Sequence, residues 1–230
     1  MKFLGCLSLL LLFNHAFSQD ENELLKKVKA RLDKVRDYQA DAKLKMDVSF
    51  IDAPESKVTV YYKRPDKFKV KKSGGISILP KGGVSINAAG LLANQEYDVV
   101  AGKDAEVNGV NTKVLKLLPT DENSDAVLTT LYIEEKNQVI RKATVTTKEN
   151  GTYEIEMSYG RYLDWGLPDK LIFSFNTKDF KLPKGLTFEY EKGDKKKPGA
   201  VKNKKGKIEL NYSSYSINKG IDDKVFSRGE

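Results

Sequence analysis

Two hydrophobic periods run along this chain, and one gives way to the other near residue 38. Leu24, Val28, Leu32 and Val35 recur at spacings of four, four and three, the stripe of a single helix face. Asp20-Glu21-Asn22-Glu23 precedes them and offers an N-cap with Glu three residues on. The spacing therefore predicts a helix from there to about Arg36. From about Tyr38 the period falls to two. Leu44, Met46, Val48 and Phe50 alternate with Lys45, Asp47 and Ser49, the pattern of a half-buried strand. Val58, Val60 and Tyr62 follow, then Phe68 and Val70, and then Tyr97, Val99 and Ala101. Later runs are 114–118, Leu131 with Ile133, and 139–145. Tyr153, Ile155, Met157 and Tyr159 come next, then Leu171, Phe173 and Phe175. Leu186, Phe188 and Tyr190 precede a last run of Ile208, Leu210 and Tyr212. Asp52-Ala53-Pro54, Lys136-Asn137, Asn150-Gly151 and Lys184-Gly185 lie between paired runs and predict hairpin turns. Asp164-Trp165-Gly166, just before Pro168, reads as a turn leading into a strand.

About ten or eleven antiparallel strands thus share their apolar face with one long helix. Strands lie about 4.8 Å apart, so ten of them span roughly 45 Å. A helix with its side chains is only about 10–12 Å wide. One helix cannot cover that face, so in a fold that is mostly β with some α the sheet must curl into a barrel or half-barrel, or carry a second cover. The segment SGGISILPKGGVSINAAGLLANQ, residues 73–95, has five glycines among Ile76, Ile78, Leu79, Val84, Ile86, Leu91 and Leu92. It reads either as a movable apolar lid or as two short strands and a loop in the core.

Composition narrows the chemistry. Met1-Lys2, the apolar run 3–13 and Ala16-Phe17-Ser18 read as a secretory leader cleaved near Ser18-Gln19. The expected organisation is a leader, 1–18, and one domain, 19–230. Cys6 in Leu4-Gly5-Cys6 gives a local lipobox reading, but the apolar run follows the Cys instead of preceding it. Cleavage at Gln19 removes Cys6 and His15, the single Cys and single His of the chain. The mature chain then has no thiol or imidazole for a nucleophile, a His-based triad or a usual zinc site. No cofactor and no metal site are expected. An exported chain of this size without disulfides suits a bacterial periplasm.

The formal net charge is +8, and many lysines alternate with apolar residues as a solvated strand face does. The dense block GDKKKPGAVKNKKGK, residues 193–207, reads as an exposed hairpin loop. It lacks interleaved aromatic residues, so nucleic acid is not an expected partner. No Gly-x-Ser-x-Gly, phosphate loop or calcium loop is present, and no catalytic residue is assigned. The chain is not expected to be an enzyme.

The stretch VYYKRPDKFKV, residues 60–70, interrupts its alternation with Lys63-Arg64-Pro65-Asp66. Together with Leu32-Asp33-Lys34-Val35 before it, Phe68 after it, and Asn218, Ile221-Asp222 and Phe226 near the end, it resembles the periplasmic outer-membrane lipoprotein carrier family, LolA. The strands 131–145 and 153–162 resemble that family's central hairpins. Residues 73–110 depart from it, and residues 97–119 resemble a relative in the wider superfamily, which includes the sigma-factor regulators that sense mislocalised lipoproteins.

The resemblance implies an open, curved LolA/LolB-like sheet with a helical lid over an acyl-chain cavity. The expected cavity residues are Leu44, Met46, Val48, Phe50, Val58, Val60, Tyr62, Phe68, Tyr153, Ile155, Met157 and Phe173. Leu24, Val28, Leu32, Leu91 and Leu92 are the expected lid residues. Arg64 is the expected latch, since the matching Arg of the family ties lid to barrel; a plain surface Arg after an edge strand is the other reading. The expected role is a monomeric periplasmic carrier of lipoprotein or lipid acyl chains that serves inner- and outer-membrane transfer proteins. A sensor or adaptor of the same fold, regulating a partner protein, is the alternative.

Overall fold

The computed structural model describes residues 14–47, 55–72, 77–78, 86–93, 96–149, 151–176 and 205–227. The leader residues 1–13, the strand position Val48, Phe50, the run 186–190 and most of the Lys-rich block lie outside the described residues.

The first helix, α1, spans Asn14–Leu32. It differs from the expectation at both ends. It starts before Asp20 because neither Gly nor Pro interrupts residues 14 to 32, so the acidic group sits inside it rather than capping it. It stops four residues short of Arg36. Lys34 and Val35 donate back to Arg31 and Leu32, at 3.2 and 3.1 Å, in tight three-residue steps. These close the helix end and turn the chain into the first strand. Val35 therefore sits in the turn, 3% exposed, and not on the helix stripe.

Among the described residues twelve strands follow: β1 (Asp37–Asp47), β2 (Ser56–Lys63), β3 (Lys67–Lys72), β4 (Ser77–Ile78), β5 (Tyr97–Ala101), β6 (Ala105–Val107), β7 (Val110–Pro119), β8 (Ala126–Glu134), β9 (Val139–Thr147), β10 (Thr152–Ser158), β11 (Lys170–Asn176) and β12 (Lys205–Ile217). A short helix, α2, spans Ala88–Leu91. The strands make one antiparallel sheet in the order β4-β3-β2-β1-β12-β11-β10-β9-β8-β7-β5, with β6 paired to β7 off that path. The two-residue β4 and three-residue β6 are too short to carry a period. The turn that forms β6 does have a signal in Asn108-Gly109, both at positive φ, the geometry a tight hairpin requires.

The topology explains the cover. β1 lies mid-sheet, β4 and β5 are its two ends, and β5 pairs only with β7 among the described residues. The chain between β4 and β5 therefore passes from one end of the sheet to the other, and α2 lies on that passage. Leu24, Leu25 and Val28 of α1 and Ala88 and Leu91 of α2, with Leu92, are buried in the same core as the concave strand residues. Open curvature, rather than closure, leaves an apolar trough that these two helices roof.

Two irregularities reset faces. Asp41 pairs with Ser214 but Ala42 pairs with Tyr212, so Ser213 is an extra residue in β12. That bulge shifts the alternation by one. Tyr212 and Tyr215, three apart, both reach the inner side, where their rings stack at 5.0 Å. Further down the sheet Gly206 faces Phe175. A Cβ on Gly206 would come within 2.5 Å of the Phe175 ring, so the glycine makes room for that side chain.

Candidate functional site

The concave face is hydrocarbon along most of its length. Leu44, Val58, Val60, Tyr62, Phe68, Tyr153, Ile155, Met157 and Phe173 are all buried there, and Met46 is half-buried. Period-2 alternation put these residues on one face, and strand register brings them together. Leu44 pairs with Leu210, Leu210 with Leu171, and Leu171 with Met157. Ile155 pairs with Phe173. The positions Val48 and Phe50 lie outside the described residues. Of the expected lid positions, Leu24, Val28, Leu91 and Leu92 are buried and Leu32 is half-buried.

Three spaces lie along the roofed trough. A cavity of about 20 Å³ is bounded by Leu32, Tyr38, Tyr62, Trp165, Leu171 and Tyr212, among others. A second, also about 20 Å³, is bounded by Leu44, Val70, Ile86, Leu171, Phe173, Ile208 and Leu210, with no polar side chain in its wall. Each has room for about one water molecule. At the surface, a cleft of about 220 Å³ runs between the end of α1, the β2–β3 turn and α2, beside Lys29, Asp33, Arg64 and Pro65. Leu32, Tyr62 and Ala89 are shared by the cleft and the first cavity. Leu171 is shared by the two cavities.

Tyrosines surround the first cavity. Tyr38 stands 5.3 Å from Tyr62 and 5.2 Å from Tyr215. Tyr212 stacks on Tyr215 at 5.0 Å, and Tyr215 Oη donates to the Pro168 carbonyl at 2.7 Å. Burial pushes the Tyr62 phenol up to about 12, and burial likewise raises Tyr38, Tyr212 and Tyr215. The phenols stay neutral donors at any physiological pH. Because the folded pKa lies above the ordinary value of 10, this part of stability is complete below pH 10 and is lost as pH rises through about 12. Ultraviolet titration is expected to show these phenols ionising only together with loss of far-ultraviolet structure; smooth ionisation near pH 10 with the fold intact would refute their burial.

Polar ties fix the end of the roof. Arg64 follows β2 in the turn to β3. Its Nη1 donates to the Asp33 carbonyl at 3.2 Å, and Nη2 pairs with Asp33 Oδ1 at 3.0 Å. Pro65 adds no donor at this strand boundary. Arg31, absent from the expected site, reaches from α1 to the β10–β11 connection. Its Nη1 donates to the carbonyls of Leu163 and Asp164 at 3.0 and 3.3 Å. The C-terminal chain supplies a third tie. Asn218 Oδ1 accepts from the Arg36 amide at 2.7 Å, and its Nδ2 donates to the Lys34 carbonyl at 2.8 Å. Beyond it, Lys63 and Lys67 both pair with Asp223, at 2.7 and 3.0 Å, and those bonds hold the Asp223 carboxyl below its usual range. Arg31 and the role of Asn218 had no local signal, since their partners are more than a hundred residues away. Trp165, 40% exposed, sits at the rim of the first cavity in the turn that ends at left-handed Gly166.

No protein-family model and no curated protein matches the sequence. Solved structures do match. An outer membrane lipoprotein-sorting protein domain from Vibrio parahaemolyticus is 16% identical with a TM-score of 0.54, covering 91% of this chain and 97% of that one. A LolA superfamily protein from Nitrosomonas europaea is 14% identical with a TM-score of 0.55, covering 90% and 97%. A DUF1329 family protein from Desulfovibrio piger is 11% identical with a TM-score of 0.56, covering 91% and 97%. Identity at this level speaks for the fold and not for a shared cargo, and with the open curved sheet and its helical roof it gives the conclusion that this chain has the LolA-like fold.

Proposed function

We propose that the protein is a periplasmic carrier that takes acyl chains of lipoproteins or lipids into the trough beneath α1 and α2. One observation carries this reading. The inner face of a wide, unclosed sheet is hydrocarbon, and among the described residues its cover is two helices tied on by a few polar contacts. Such a cover can separate from the sheet without breaking any strand pairing. Two structures of similar fold, an outer membrane lipoprotein-sorting protein domain and a LolA superfamily protein, support the same cargo class. The reading is of a binding protein and not an enzyme: burial of an acyl chain releases about 0.8 kcal/mol per CH2 and needs no catalytic group. Partner proteins at the donor and acceptor membranes belong to the proposal.

Native mass spectrometry of protein purified without detergent tests it. Retained lipid, or saturable uptake of palmitate, is expected; a chain that neither retains nor takes up any acyl compound is not a carrier.

Arg64 is the proposed latch. Arg64 and Asp33 are 44% and 55% exposed, so solvent screens the pair and its share is about 0.5–1 kcal/mol. Arg64→Leu is expected to speed ligand release by about two- to fivefold and to leave the fold unchanged. Arg64→Lys restores part of the effect, because it keeps the charge but not the fork. Release rates of both variants equal to wild type in stopped-flow exchange would reduce Arg64 to a surface charge.

A further inference from the structure

A further cleft, of about 600 Å³, opens at the surface where three connections meet. Arg36 and Asp37 come from the end of the α1–β1 turn, Lys63 and Arg64 from the β2–β3 turn, and Asn218, Lys219 and Gly220 from the chain after β12. Strand register sets these connections side by side, since Asp37 pairs with Lys63 and Tyr38 with Ile217. The charge of the cleft is one-sided. Four cationic side chains face one carboxylate, Asp37, which is 7% exposed and whose Oδ1 accepts from the Gly220 amide at 2.9 Å. Lys63 and Arg64 already have carboxylate partners in Asp223 and Asp33. Arg36 and Lys219 are exposed, and among the described residues their side chains make no hydrogen bond or ion pair.

The same polarity extends across the sheet. β1 and the β2–β3 hairpin, residues 37–47 and 56–72, hold nine basic and four acidic side chains. Residues 97–134, which form β5 to β8 toward the other end of the sheet, hold three basic and seven acidic ones. The molecule is therefore positive on the side of the cleft and negative on the far side.

We infer that this cleft docks the protein on the surface of an anionic bilayer, with Arg36 and Lys219 reaching the phosphodiester headgroups. The inference is separate from what the trough carries. A guanidinium takes two phosphate oxygens at once, and an ammonium adds a point charge. Lys29 lines the neighbouring cleft that Arg64 also borders and extends the basic rim. No apolar side chain lines the cleft of Arg36 and Lys219. It thus offers charge for headgroups but no apolar anchor of the kind that holds a protein partner. An anionic surface attracts Lys and Arg within a Debye length. It repels the acidic far side, so the field turns the molecule cleft-first toward the bilayer.

Co-sedimentation with sucrose-loaded vesicles tests the inference. One set is phosphatidylcholine alone, and the other is half phosphatidylglycerol. Binding to the anionic set is expected to be at least about tenfold tighter than to the neutral set. It is expected to weaken by about tenfold between about 0.05 and 0.3 M salt. Equal binding to both sets, or binding to neither, overturns the inference and leaves the carrier reading standing. Arg36→Glu with Lys219→Glu is expected to weaken anionic binding by about tenfold. Lys103→Glu with Lys116→Glu makes the same change of net charge at two exposed positions on the acidic side, and is expected to alter binding by less than about twofold. Equal losses in the two double variants would trace the attraction to net charge and overturn the cleft. If the first double variant does not fold, Arg36→Gln with Lys219→Gln replaces it. A loss of about threefold is then expected, and unchanged affinity overturns the cleft. Poly-L-glutamate is the last ligand. Tighter binding of it than of the anionic vesicles, lost in the same variant, would assign the cleft to an acidic protein segment and overturn the bilayer as its partner.

Discussion

Met157→Glu is expected to abolish acyl-chain binding at neutral pH. Met157 is 2% exposed, faces the trough from β10, and pairs across the sheet with Leu171. The Tyr159 hydroxyl lies 3.5 Å from the sulfur and already donates to the Ile140 carbonyl at 2.8 Å. A carboxylate placed there has little to receive it. Burying such a group unpaired costs about 2–4 kcal/mol before any ligand arrives. The new carboxyl responds by holding its proton, so its pKa rises. Binding is then expected to return in part as the pH falls to about 5, where the group is neutral. Met46→Glu, at a half-buried position on the end of β1 away from the cleft, is expected to fold more readily and to weaken binding by about tenfold. Palmitate titration with far-ultraviolet circular dichroism on the same samples separates lost binding from lost folding. Wild-type affinity in both folded variants would place the ligand somewhere other than the trough.

The second large effect is expected at Asn218, on stability. Its side chain accepts from the Arg36 amide and donates to the Lys34 carbonyl, and its own amide donates to the Asp37 carbonyl at 2.9 Å. The turn that carries α1 into β1 is thus held from the C-terminal chain. Asn218 also has φ +56°, which Asn tolerates and Ala resists. Asn218→Ala loses three side-chain bonds, a long one of 3.4 Å from the Asp37 amide among them, and gains strain, about 2–3 kcal/mol together, or roughly 4–12 °C in Tm for a chain of this size. Asn218→Gly keeps the backbone conformation and loses only the bonds, so the difference between the two measures the strain. Asn218→Asp keeps the acceptor and loses the donor, and is expected to fall between Asn218→Gly and wild type. Melting temperatures of all three within a degree of wild type would show that this clamp holds nothing.

Much of the architecture was readable along the chain because strands and helices write local periods. The Cβ alternation of a strand repeats every two residues, so Leu44, Val58, Val60, Tyr153, Ile155, Met157 and Phe173 could be assigned to one face without knowing which strands were neighbours. The width of that face against one helix required the sheet to curl into a barrel or half-barrel, or to carry a second cover. The helix ends were misjudged for equally local reasons. Val35 continues the apolar spacing although the backbone has already turned, and the acidic group at 20–23 resembles a cap although the helix runs through it.

The sequence by itself determined the faces, the approximate number of strands, the surplus of apolar surface and the lack of Cys and His from residue 19 onward. These depend on neighbours within a few residues, or on composition. Only the tertiary structure decided which of these residues share a space. Strict alternation from Ile208, Leu210 and Tyr212 sends Tyr215 outward, but one extra residue at Ser213 turns it inward and completes the tyrosine cluster. Leu171 reads as one apolar residue among many until register and curvature set it between two cavities. Arg31 and Asn218 find their carbonyls 132 and 184 residues away. Such contacts exist only once the sheet has curved and brought its connections to one end, and no period in the chain records them.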